Sequence, residues 1–480
     1  RSYSVKQISH STEGIAPVMN DLSIQTYDDT SITINRPTFS VAGNPSASVH
    51  GYIGRHGEIS VSGATVSGYT AGPVDLSAGG FQFTGLLSET DYRIVVVAGN
   101  SKGHSVKEIA CGTARGWHNY GEAVTPRADY KGAWETSIAS ENGILYAAVS
   151  ENKIVNGDPG KISVMKLEPG SSAWGVMGSS DFSEGMASSV KIAVKNGVVY
   201  TAYYDSAIAK VMVKYFDGTS WRGLGTAGVS AGAASDVALY LYDTGTAVIP
   251  CVAYVDGTRG NQITVKRYTG GAWQAMGSEG FSAGLQTYSP SLCVVGGTYY
   301  IAFQNKHDYV NTQMIEVRKF NGSAWEQVGR PVALDAPGVA RGRQPVIAAD
   351  NGTLYLLYSD FYASSKATVK YYDSAAGSWV TLGVAGFTPG NISNSATPAK
   401  FLISNGVPFV VFINTTGYCA SMMQYENGAW GYTGNVSLSA GQVQAIDFIF
   451  NEGDPYVIYR DLSASNGYGF QARVRSFDLN

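Results

Sequence analysis

A chain of 480 residues is long enough for two domains, or one large one, and can bury a substantial core without a metal or a disulfide staple. A formal charge of -4 with no Lys/Arg block argues against nucleic acid as a partner, and no apolar run approaches the roughly 18 residues of a transmembrane helix. With 58 Gly and 31 Tyr, and with Pro, Lys and Glu sparse, the composition suits short strands joined by tight turns, so the expected class is all-β.

Residues 1 to 15 are polar and read as a tail or linker. The chain starts at Arg1 without Met, which fits either a processed export product or a trimmed chain; the expected location, from composition and architecture, is extracellular or at the cell surface. The four cysteines, Cys111, Cys251, Cys293 and Cys419, are far apart with no C-x2-C spacing, so they read as buried thiols rather than a zinc or redox motif.

From residue 16 to about 113 the chain carries "SITINRPTF", "FQFTGLLSETDYRIVVVAGNSKGHSVKEI" and intervening strand-like runs. Leu86 lies six residues before Tyr92, the spacing of a tyrosine corner, and "VVAGNSKGHS" reads as strand, hairpin and strand. This segment resembles a fibronectin type III domain, which implies a β-sandwich. The Trp expected of that family near the first sheet is absent, as is the Arg-Gly-Asp tripeptide of some members.

Beyond residue 114 a W-x3-G phrase recurs at Trp117, Trp174, Trp221, Trp273, Trp325, Trp379 and Trp430. Spacings of 47 to 57 residues hold four short strands each. The stretch from 187 to 232 shows the pattern. "SVKIAVKNGVVYTAYYD" is a hairpin about Asn196-Gly197, and "KVMVKYFDGTSWRGLG" a second about Asp217-Gly218. The last unit, from about Val443, supplies three strands and ends, while "GWHNYGEAV" near Trp117 supplies the missing fourth. Residues 114 to 480 therefore resemble a bacterial seven-bladed β-propeller closed by its two ends, without the signatures of WD or kelch repeats. Sialidase Asp boxes are approached at Asp217, Gly218 and Trp221 but fall one residue short.

Each second strand ends in a polar residue: Glu151, Asp205, Asp256, Asn305, Asp360, Asn414 and Asp461. They could form a carboxylate ring for a cation, but their presence in every unit, twice as Asn, favours turn-starting side chains bonded to nearby backbone. Function is sought where the pattern breaks. The segment "RPVALDAPGVARGRQ" holds Asp335, Arg341 and Arg343, and the loop "NKHDYVNTQ" holds His307, Asp308 and Tyr309. "TPRADYKGAWE" holds Arg127, Asp129, Tyr130 and Trp134, the one tryptophan outside the phrase. Trp and Tyr there could stack on a sugar ring while Arg and Asp bond its hydroxyls; equally, Trp134 could plug the channel.

No nucleophile elbow, H-E-x-x-H, P-loop or calcium loop is present, so no cofactor, metal or catalytic residue is assigned. The expectation is a monomeric binding or adhesion protein whose partner is a carbohydrate or a cell-surface protein. The alternative is a polysaccharide-active glycoside hydrolase or lyase at the channel mouth, for which Asp308 and Asp335 would be a carboxylate pair.

Overall fold

A computed structural model describes residues 16–20, 22, 24–27, 31–35, 37–41, 47–55, 58–76, 80–86, 91–112, 117–126, 132–151, 160–225, 227–284, 286–306, 313–329, 340–392, 398–415, 417–465 and 470–479. The protein is all-β: two single-turn helices, Gly257–Arg259 and Phe361–Ala363, are the only helical segments among these residues. The chain divides into two compact units, Arg1–Trp117 and His118–Asn480.

The first unit holds a three-stranded sheet (Ile24–Tyr27, Ser31–Ile34, Phe81–Thr84) and a four-stranded sheet (Gly103–Gly112, Asp91–Asn100, Ser48–Arg55, Ala71–Asp75). Alternate residues of these strands are apolar and meet in one core of Ile32, Ile34, Ile53, Phe83, Ile94 and Val96. Leu86 and Tyr92 are both buried in it.

The second unit is a succession of antiparallel four-stranded sheets in which every innermost strand but the last precedes its three outer ones. The innermost strands are Ala133–Glu141, Ala187–Lys195, Ala234–Asp243, Gln286–Val295, Ala340–Asp350, Lys400–Ser404 and Val443–Asn451. We number the sheets first to seventh in that order. Each innermost strand packs on the next, and Val443–Asn451 also packs on Ala133–Glu141. The fourth and fifth sheets are hydrogen-bonded through Met314↔Arg341 and Ile315↔Ala340. The seventh draws its outermost strand from His118–Asn119, which pairs with Arg475 and Ser476.

Local chemistry accounts for the hairpins. At Asn142-Gly143, Asn196-Gly197, Asn351-Gly352 and Asn405-Gly406 both residues lie in the left-handed region, with φ 46 to 53° for Asn and 75 to 81° for Gly. That combination matches the twist of the flanking strands and selects these residue types.

The W-x3-G phrase acts between sheets. Trp221 donates its indole N–H to the Met177 carbonyl at 2.8 Å, Trp273 to Leu224 at 2.7 Å, and Trp325 to Met276 at 2.6 Å. Trp379 and Trp430 donate likewise to Val328 and Leu382, both at 3.1 Å. Each of these five acceptors is the residue just before the glycine of the preceding phrase, whereas Trp174 donates to Glu122, just after Gly121. The preceding phrase's glycine has to be small: a Cβ on Gly225 would lie 3.0 Å from Trp273, and one on Gly383 2.8 Å from Tyr425. The phrase thus seats each tryptophan on its neighbour's glycine.

The polar residues ending the second strands are buried, except the half-buried Asn414. Asp205 accepts from the amides of Glu184, Gly185 and Ala207 at 3.0 to 3.1 Å, holding two loops together. Asp256 and Asp360 accept from Thr258 and Tyr362 of the turns they begin. Of the cysteines, Cys251 and Cys293 are buried free thiols, and burial pushes both up to about 12, well above neutral pH. Cys419 is also free but only half-buried, since it begins the strand after an exposed turn.

Candidate functional site

The innermost strands share one irregularity. Six of them carry a register shift near their start, between Ala133 and Glu135, Ser188 and Lys191, Ser235 and Ala238, Tyr288 and Ser291, Arg343 and Val346, and Gln444 and Asp447. Five of the shifts contain a left-handed residue that is not glycine: Ser189, Asp236, Ser289, Gln344 and Ala445, with φ 49 to 55°. Such bulges bend a strand and re-aim its side chains, and they concentrate at rims and binding sites.

Bulges free backbone N–H groups from the strand ladder, and side chains from the neighbouring sheet accept them. Glu135 accepts from Ser189 at 3.0 Å and Val190 at 2.8 Å. Asp236 accepts from Ser289 at 2.9 Å, Gln304 from Gln344 at 3.3 Å, and Asp447 from Ile138 at 3.2 Å. Asp447 also takes the Ser137 hydroxyl at 2.7 Å and pairs with Lys400 at 3.5 Å.

These bulges form the wall of a cavity of about 1010 Å³. Trp134, Lys191, Arg343, Lys400 and Arg460 line it, together with Tyr288 and the amides of Gln304, Gln313, Gln344 and Gln444. Trp134 is 48% exposed, and of the eight tryptophans it alone is exposed. The guanidinium of buried Arg460 is placed against it and, on another side, 4.9 Å from the ring of Phe470. Arg343 donates to Gln313 at 2.6 Å and lies 5.2 Å from the ring of Phe361.

Lys191 sits on the wall with its ammonium donating to the Val190 carbonyl at 3.1 Å. Burial holds its pKa below the usual lysine value, and the nearby Lys400 charge pushes the same way; Glu135, Asp447 and Asp236 oppose the shift.

The cavity therefore brings together two of the residues expected from sequence, Trp134 and Arg343. Both Arg341 and Arg343 lie on the strand Ala340–Asp350 rather than on the loop read from sequence, because Arg341 pairs with Met314 of the fourth sheet and extends the strand backwards. Arg341 is exposed and outside the lining. Arg127, Asp129, Tyr130, His307, Asp308, Tyr309 and Asp335 lie outside the described residues.

Sequence reasoning missed Glu135, Lys191, Asp236, Lys400, the glutamines and Arg460. A signal existed: most of them stand within a few residues of the first apolar position of an innermost strand, as in "SSVKIAV", "ASDVALY" and "VQAIDFIF".

No protein-family model and no curated protein matches the chain. In fold it is similar to the Trypanosoma rangeli sialidase in complex with sialic acid, at 11% identity and a TM-score of 0.43, covering 76% of this chain. The chain spans 59% of that sialidase's length. It is also similar to the polysaccharide lyase Uly1, at 10% identity and a TM-score of 0.49, over 75% of this chain and 92% of the lyase. A variant of the Aleuria aurantia lectin in complex with Fucα1-6GlcNAc is similar at 15% identity and a TM-score of 0.40, over 64% of this chain and 97% of the lectin.

Proposed function

We propose that this chain is an exported, monomeric carbohydrate-binding or adhesion protein that takes its ligand at the bulged rim of the second unit. The architecture we infer is a fibronectin type III-like domain followed by a seven-bladed β-propeller. What carries the functional reading is Trp134, an exposed indole at the edge of a cavity whose lining mixes apolar side chains with amides, hydroxyls and charged groups. Sugars present both an apolar ring face and a set of hydroxyls. An aromatic platform beside convergent hydrogen-bonding side chains meets both needs. Arg127, Asp129, Tyr130, His307, Asp308, Tyr309, Asp335 and Arg341 are proposed to extend this site from the adjoining segments.

Binding is favoured over hydrolysis because the rim carboxylates already serve the protein's own backbone. Glu135 uses both oxygens on Ser189 and Val190, and Asp447 uses its two on Ser137, Ile138 and Lys400. A glycosidase pair needs one carboxyl to give a proton and another to attack or activate water.

The test is a glycan-array screen of the whole chain and of its Trp134→Ala variant. We expect wild-type binding that the variant loses while its melting temperature holds. Absence of wild-type binding to any glycan overturns the reading.

A further inference from the structure

We propose that the ligand of this rim is an acidic glycan, one whose sugars carry carboxylate or sulfate groups. The inference rests on the carbohydrate reading above and adds the charge of the substrate class to it.

The charged side chains of the rim are partnered in two different ways. The carboxylates of Glu135, Asp236 and Asp447 are caps: the first two accept from the bulged backbone of the next sheet, and Asp447 from the Ile138 amide and Ser137 hydroxyl of the first sheet. Those bonds hold the wall in shape, so these groups are committed. Lys400 pairs with Asp447, but two other cations at the cavity are different. Arg343 has neutral partners, the Gln313 amide and the Phe361 ring, and makes no ion pair among the described residues. Lys191 also makes none there, and its ammonium donates to a backbone carbonyl. An incoming anion would give Arg343 an ion pair without displacing one already present among the described residues. Hydrogen bonds between ionised partners are about twice as strong as neutral ones, and guanidinium groups bind carboxylate and sulfate with two parallel N–H bonds.

Position supports the same conclusion. Arg343 stands on the innermost strand of the fifth sheet, Lys400 on that of the sixth, Arg460 on the second strand of the seventh and Trp134 on the innermost strand of the first. Adjacent sheets thus present a run of three cations that ends at the stacking platform. On the second to fourth sheets, Lys191 is the one cation of the lining. This concentration occurs in a chain whose formal charge is -4, so it is not a by-product of general basicity. A polymer carrying charge at regular intervals could engage the run while one of its rings stacks on Trp134.

The experiment compares binding of the full chain to polygalacturonate and to its carboxyl-reduced neutral form, and to dextran sulfate and dextran, with wild type and Arg343→Gln. Arg343 is exposed, so the variant is expected to fold. At least one charged polymer should bind about tenfold or more tightly than its neutral counterpart, and Arg343→Gln should lose about tenfold of that affinity. Raising ionic strength from about 0.1 to about 1 M, which shortens the Debye length from about 10 to about 3 Å, should weaken the wild-type complex further. Which charged polymer binds distinguishes carboxylate from sulfate. Neutral forms that bind as well as charged ones overturn the proposal and leave carbohydrate binding standing. So does failure of all four polymers alongside positive array binding to neutral glycans. A charged polymer that binds Arg343→Gln as tightly as wild type overturns its assignment to this rim.

Discussion

The guanidinium of Arg460 lies 5.0 Å from the ring centre of Trp134, so the exposed indole rests on a buried cation rather than swinging free. Such a contact is worth about 0.5–2 kcal/mol and limits the rotamers that Trp134 can sample. The platform is therefore set before a ligand arrives, which lowers the entropy lost on binding.

Arg460→Gln should loosen the platform. Because the other seven tryptophans are buried or half-buried, acrylamide quenching of the native protein reports mainly on Trp134. Quenching is expected to rise in Arg460→Gln and to fall in Trp134→Phe. Unchanged quenching in Arg460→Gln would mean that the cation does not hold the ring.

The tryptophans between sheets should behave oppositely, affecting stability and not binding. Trp221→Ala removes a buried indole and its bond to Met177, and should cost about 3–5 kcal/mol in chemical denaturation. Trp221→Phe keeps most of the packing but strands the Met177 carbonyl, and should cost about 1–3 kcal/mol. Gly383→Ala combines a φ of +72° with a contact of 2.8 Å to Tyr425, and should lose at least about 1–2 kcal/mol.

Asp205 tests whether the polar residue at the end of each second strand is scaffold or ion ligand. Asp205→Ala leaves the amides of Glu184, Gly185 and Ala207 without their acceptor, and a loss of about 2–4 kcal/mol is expected. On the scaffold reading, adding EDTA or calcium leaves the melting temperature of wild type where it was. A calcium-dependent rise would assign these carboxylates to a cation.

Lys191 gives a pH signature whose sign follows from its shift. Its pKa in the folded chain lies below the ordinary value of 10.5, so the unfolded chain binds more protons between the two values. Stability then rises with pH across that window, and the full penalty of holding the ammonium in the wall applies below it. Lys191→Met should melt higher than wild type at low and neutral pH, with the difference closing as pH climbs toward 10.5. A difference independent of pH would show that packing, not charge, separates the two proteins.

The sheets were legible in the sequence because their determinants are local. Asn196-Gly197 and its counterparts fix two-residue turns, alternation fixes which face is buried, and a tryptophan repeated at near-constant spacing marks each unit. The cavity was only partly legible, because what shapes it is not local. No feature of Ser189, Asp236 or Gln344 in isolation announces a left-handed residue, and the acceptors that hold Ser189 and Gln344 lie 54 and 40 residues away. Arg343 was found through the irregularity of its segment. Glu135, Lys191 and Arg460 were passed over because they stand within strand segments whose bulges leave no mark in the sequence.

The bulged rim has one more consequence. Its curvature is set by main-chain pairing and by a few carboxylate and amide caps, whereas Trp134, Tyr288, Arg343 and Gln444 cap nothing in that backbone. Frame and reading surface are thus separate sets of residues. Exchange at the second set would leave the first intact, and on the proposed function one scaffold could be retuned from one glycan to another a side chain at a time.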